Sequence, residues 1–150
     1  MDRFRKFAII AAVVLQIAAR VDFSRLPGWL PLPFTPAPMP SEGGLSVLIV
    51  DENEDYDTPA YAPFLPVLNS TALIDWLDAN CAKVDGVPEW RHWDDDVEIV
   101  EESQKWRDAL AIPRASLPWI VVSNGRTGYS GPLPQSEAAT LELLKKYASN

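Results

Sequence analysis

Two short apolar runs govern how this chain can fold. Leu45–Val50 (LSVLIV) and Trp119–Ser123 (WIVVS) are nearly unbroken in aliphatic and β-branched residues. Runs of this length without polar alternation read as strands buried on both faces. Such strands belong to sheets covered by helices on each side, so the expected class is α/β. The rest of the chain supplies the other elements. After a loop, Asp51–Pro66, with Pro59, Pro63 and Pro66, either Asn69 or Ser70 can N-cap a helix ending near Cys81. Leu73, Trp76, Leu77 and the pair Asn80/Cys81 give that helix one apolar face. Glu89–Asp94 (EWRHWD) alternates as a strand would, setting Trp90 and the pair His92/Asp94 against Arg91 and Trp93. Ser103–Ala111 makes a short helix before Pro113. Asn124-Gly125 signals a hairpin returning along Arg126–Ser130 and ending at Gly131-Pro132. Ser136 caps a final helix to about Ala148, with Leu141, Leu144 and Ala148 on one face and Lys145-Lys146 near its negative end. The expected order is β-α-β-α-β-β-α.

Everything ahead of Leu45 has a different character. Met1–Lys6 carries Arg3, Arg5 and Lys6 against Asp2, and Phe7–Ala19 is then apolar except for Gln16. Thirteen helical residues span ~20 Å, short of a ~30 Å hydrocarbon core. A basic start, this run length and Ala18-Ala19 fit a secretory signal cut ahead of Arg20. Snorkelling of Lys6 and Arg20 would instead let a hydrophobic helix in residues 1–20 serve as a short membrane anchor. Either reading places the rest of the chain outside the cytoplasm, whereas a helix belonging to the domain would not. Residues 21–44 read as a proline-rich linker, with Pro27, Pro31, Pro33, Pro36, Pro38 and Pro40 ahead of Ser41-Glu42-Gly43-Gly44. Proline at this density favours extended polyproline II, a semi-rigid spacer or else a ligand for an aromatic groove. Trp29, Leu30, Leu32 and Phe34, set between those prolines, suit packing on the domain or a membrane interface. Residues 45–150 form the folded domain.

Composition then narrows the function classes. A chain of 150 residues, 47% hydrophobic and 23% charged, is neither collagen-like, wholly disordered nor a multi-span membrane protein. Thirteen Lys+Arg stand against 21 Asp+Glu, a net charge of −8. Setting aside Met1–Ala19, which holds three basic residues and one acidic, leaves 10 against 20, or −10. Such a surface repels phosphate backbones, so nucleic acid is excluded as a partner. A single cysteine, Cys81, excludes an internal disulfide framework and Cys-rich zinc sites. A single histidine, His92, excludes His-pair metal motifs, makes any Ser/His/Asp triad depend on it, and stands without a G-x-S-x-G signature.

The stretch Ala115-Ser116-Leu117-Pro118-Trp119-Ile120-Val121-Val122, followed by Asn124-Gly125 and Gly128–Gly131, resembles the second half of the thioredoxin-like superfamily. There a short helix leads to a loop with a cis proline, then a β-hairpin, a glycine and a closing helix. Pro118 matches the cis proline by position. The resemblance spans roughly Leu45–Tyr147, with its specific signals in Ser103–Tyr147. It implies a thioredoxin-like three-layer sandwich around a central mixed sheet. It also implies a binding mode, in which the loop at Ser116-Leu117 offers unpaired backbone groups to an extended peptide that adds as a strand. Ser116, Leu117 and Pro118 are therefore the expected peptide-binding residues. The departure is equally informative. Redox members place Cys-x-x-Cys between the first strand and its helix, and here Asp51–Thr71 contains no cysteine. Cys81 falls near the far end of that helix, whose negative pole raises a thiol's pKa. The chain is thus not expected to exchange disulfides, and Cys81 reads as a small buried apolar residue.

Two acidic clusters remain. Asp51, Asn53, Asp55 and Asp57 alternate as in the opening of a calcium loop. The pattern then fails, with Tyr56 where a turn glycine belongs and Ala62 where a bidentate glutamate does. No metal site is assigned, and Asp51, Asn53 and Asp55 are simply the residues that would open one. Asp94-Asp95-Asp96 with Glu98, Glu101 and Glu102 could hold a divalent ion or face water. Trp76, Trp106 and Trp119 lie on expected elements and fill the core. Trp90 and Trp93 either pack there or form an exposed interface with Arg91. The expected function is a non-catalytic, exported or membrane-anchored thioredoxin-like module that binds a protein or peptide, with no cofactor. The competing classes are a divalent-metal-dependent enzyme using the acidic clusters and a structural envelope or virion component.

Overall fold

A computed structural model of the chain describes residues 37–148. The expected signal or anchor in residues 1–20, and the linker through Pro36, lie outside the described residues. No helix among the described residues is long and apolar enough to cross a membrane. The protein is a mixed α/β structure built on a four-stranded mixed sheet. Strand β1 (Ser46–Asp51), buried at every residue, runs parallel to β4 (Trp90–Asp94) and antiparallel to β5 (Trp119–Ser123). Strand β6 (Gly128–Pro132) pairs antiparallel with β5, giving the order β4-β1-β5-β6. The two apolar runs are thus the two central strands, as their composition demands.

Strand parity divides the core. On one face Val47, Ile49, Ile120 and Val122 meet helices α1 (Leu65–Leu68), α2 (Thr71–Asn80) and α4 (Glu137–Ala148). On the other, Leu48, Val50 and Val121 meet Trp106 and Ala109 of helix α3 (Gln104–Leu110). Ser70 caps α2, its Oγ accepting the Leu73 N–H at 3.0 Å while donating to Glu137 Oε2 at 2.5 Å. One hydroxyl therefore closes one helix and ties it to the first turn of another. Asn80, expected on the apolar face, is exposed, and its amide donates back to the Trp76 carbonyl at 2.8 Å. In α4 the exposed Ala148 gives way to Thr140, which is buried with its hydroxyl donated to the Ser136 carbonyl at 3.0 Å. Trp90 packs against the first core cluster and Trp93 against Trp106, so both belong to the packing.

Further features depart from the sequence reading, and helix α1 begins inside the expected loop. A small hairpin, β2 (Lys83–Val84) and β3 (Val87–Pro88), turns at Asp85-Gly86, where φ is 51° and 81°. Both turn residues adopt the left-handed conformation of a primed hairpin turn, and two-residue strands carry no periodicity to announce them. The β5–β6 connection is longer than an Asn-Gly turn. The Asn124 side-chain oxygen accepts the N–H groups of Arg126 at 3.0 Å and Thr127 at 2.8 Å, which holds residues 124–127 as a loop. The return strand therefore starts at Gly128, opposite Ser123, and Gly131-Pro132 lies within it. Finally, residues 37–44 pack on the sheet. Met39 is buried with Trp106 and Trp119, and Ser123 Oγ donates to its carbonyl at 2.5 Å. Gly125 (φ +82°) and Gly128 make this possible, because a Cβ would overlap Ser41 O at the first and Pro38 at the second.

Candidate functional site

The carboxyl ends of the parallel strands β1 and β4 are where ligands gather in open α/β sheets. Asp51 and Asp94, in register, close these two strands. Asp51 is 2% exposed, and a buried carboxylate must be met by donors. Its Oδ2 accepts from the Tyr56 hydroxyl and lies 2.8 Å from His92 Nε2. Burial, and then the Asp51 carboxylate, raise the Tyr56 hydroxyl's pKa, so the phenol stays protonated as the donor. The Tyr61 hydroxyl accepts the Glu52 N–H at 2.9 Å, and its ring lies 5.8 Å from that of Tyr56. Asp94 Oδ2 accepts from both the backbone and the side-chain amide of Asn53, joining the two loops that leave the strands. Its Oδ1 is buried without a partner among the described residues.

Beside this network lies a groove of about 580 Å³, walled by Asp55, Tyr61, Asp95 and the segment from Leu110 to Leu117. Arg114 pins that segment, pairing with Asp95 and donating to the Leu110 carbonyl. Beyond it the backbone is unoccupied. The N–H and C=O groups of Ala115, Ser116 and Leu117 make no hydrogen bond to any described residue. The Leu117–Pro118 peptide is cis. Of the three residues expected to bind peptide, Ser116 and Leu117 line the groove. Pro118 is buried beneath it, its carbonyl accepting the Leu133 N–H at 3.0 Å.

The alternating acidic residues do not converge. Asp51 turns inward to Tyr56 and His92, Asn53 binds Asp94, and Asp55 sits on the groove wall. In the second cluster Asp95 pairs with Arg114, and Glu102 lies 3.7 Å from Arg91. Among the described residues no three His, Cys, Asp or Glu side chains are grouped to hold a metal. Sequence reasoning missed Tyr56, Tyr61 and Arg114. The signal for Tyr56 was its position, since an aromatic hydroxyl stood where a calcium loop needs glycine.

Cys81 lies outside the groove, buried at the end of α2. Its thiol is pushed up to about 12, first by burial and then by Asp78 and Glu89. Desolvation is thus the leading cause, ahead of the helix pole that the sequence suggested. Iodoacetamide at pH 8 should leave Cys81 unmodified in the native protein and alkylate it once the chain is denatured; rapid native labelling would contradict this placement. An unfolded thiol ionises near pH ~8.5, while the folded one holds its proton to about 12. Above pH ~8.5 the unfolded chain loses a proton that the folded chain keeps, so the contribution of this site to stability is full below that pH and declines as pH rises.

Compared with known proteins, the chain matches no family model, no curated protein and no solved structure.

Proposed function

We propose that this protein is an exported or membrane-anchored, redox-inactive thioredoxin-like module that captures an extended protein segment in the groove beside Ser116-Leu117. The observation that carries the reading is the unpaired backbone of Ala115–Leu117 along the wall of a 580 Å³ groove. Ala115 and Ser116 are exposed and Leu117 is half-buried, so these backbone groups are accessible to a partner, and an open row beside a groove is what strand addition uses. The order of elements, the mixed sheet covered on both faces and the cis Leu117–Pro118 bond agree with the thioredoxin-like resemblance. The absence of cysteine from Asp51–Thr71 and the high pKa of Cys81 agree with a binding role without thiol chemistry.

The test is capture of peptides from a random extended library by the full chain and two variants. Ser116→Pro removes one backbone donor from the loop, and Ala111→Trp fills the groove from an exposed position. Each variant should lose capture by about tenfold or more, in line with ~1–3 kcal/mol for a lost buried hydrogen bond. Far-UV circular dichroism should show both variants folded. Capture undiminished in both folded variants, or absent from the parent, would overturn the reading.

A further inference from the structure

A second cavity, of about 280 Å³, opens on the helical side of the β4 edge, away from the groove. Its floor is aliphatic, running from Ile49 of β1 to Leu73 and Leu77 of α2, and its rim carries Ile74, Trp90 and His92. An engineered apolar cavity of ~150 Å³ takes up benzene, so the space here suits a substituted ring or an aliphatic body of like size. The Trp90 indole N–H is already donated to Asp78 Oδ1 at 2.7 Å, leaving the cavity only its ring.

Arg91 and His92 are the polar residues of the cavity's lining, and the Arg91 guanidinium is engaged elsewhere, by the Pro88 and Trp90 carbonyls and by Glu102. The His92 Nε2 is held 2.8 Å from Asp51 Oδ2, and Asp51 is itself braced by Tyr56. A carboxylate on that side accepts the Nε2–H and leaves Nδ1 as the nitrogen on the far side of the ring. Nδ1 has no partner among the described residues. A single ring nitrogen without a partner, on a residue that borders an apolar cavity, suits one hydroxyl on an apolar body. The buried Asp51 carboxylate behind the ring and the net charge of −8 disfavour an anion. We propose that this cavity binds a small, largely apolar molecule bearing one hydroxyl, of the alkylphenol class, with the hydroxyl hydrogen-bonded to His92. This site does not depend on peptide capture in the groove.

Calorimetric titration of the full chain with para-propylphenol, and with propylbenzene as the analogue lacking the hydroxyl, tests the assignment. The parent should bind the phenol at least tenfold more tightly than the hydrocarbon. His92→Phe should bring the two affinities to within about twofold of each other. Ile74→Trp, at a partly exposed rim position where folding is least at risk, should abolish binding of both. No saturable binding to the parent, undiminished binding to folded Ile74→Trp, or an unchanged ratio in folded His92→Phe would each overturn it.

Discussion

Replacing Trp106 by alanine should cost about 3–5 kcal/mol, the range for removing a buried aromatic. In a domain of this size that corresponds to a fall in Tm of more than ~10 °C. Trp106 is 2% exposed and is the largest fully buried side chain. It is the principal wedge by which α3 covers the second face of the sheet, among Leu48, Val50 and Val121. Trp93 meets it edge-on at 5.9 Å. The Arg91 guanidinium and the Lys105 ammonium lie 4.9 and 4.7 Å from its ring, contacts that add cation–π attraction in a desolvated setting. Alanine would remove all of these at once and leave a cavity beneath a helix of only seven residues. Trp106→Phe keeps part of the volume and should cost less than half as much. Urea denaturation followed by far-UV circular dichroism measures both, and a loss under ~1 kcal/mol for alanine would mean that α3 does not hold this face.

The second large effect concerns Glu89 and Lys105. Their side chains are 10% and 17% exposed, and the ammonium also donates to Ser46 Oγ at 2.9 Å. Ser46 Oγ in turn meets Ser41 Oγ at 2.7 Å, so the pair reaches the packed segment 37–44. Removing one partner of a buried pair strands the other charge, which typically costs 3–5 kcal/mol. Glu89→Gln should fall toward the lower end of that range, about 3 kcal/mol, because the amide oxygen still accepts from the ammonium. The double variant Glu89→Leu with Lys105→Met removes both charges and should lie within about 1 kcal/mol of the parent, or above it. A double variant as unstable as Glu89→Gln would show that the pair itself, rather than the penalty of breaking it, supplies the stability.

How much of this was legible in the sequence follows from where each signal is stored. Leu45–Val50 and Trp119–Ser123 announced themselves because burial on both faces is written into every residue of a strand. The helix starts at Ser136 and at Asn69 or Ser70 were legible because a cap is a local event, and Ser70 proves to be the cap of α2. The start of β6 was misplaced because the Asn124 side chain spans a four-residue loop where a two-residue turn also fits the letters. The packing of Met39 was invisible because it depends on Gly125 and Gly128, more than eighty residues away. The site divides in the same way. Ser116 and Leu117, which line the groove, were named from a contiguous stretch, whereas Asp51 and His92 meet only because the parallel register sets Ile49 beside His92. A pairing forty-one residues apart leaves no trace in local spacing.

The segment around Met39 has one further consequence. Pro38 lies against Gly128, Ser41 against Gly125, and Asn124 Nδ2 donates to the Tyr147 carbonyl at 3.1 Å. Both ends of the described chain thus leave from the same pole of the sheet, where β1 begins and β5 ends, while the groove sits at the pole where β1 and β4 end. A host loop joined at residues 37 and 148 would therefore meet the domain at the pole opposite the groove.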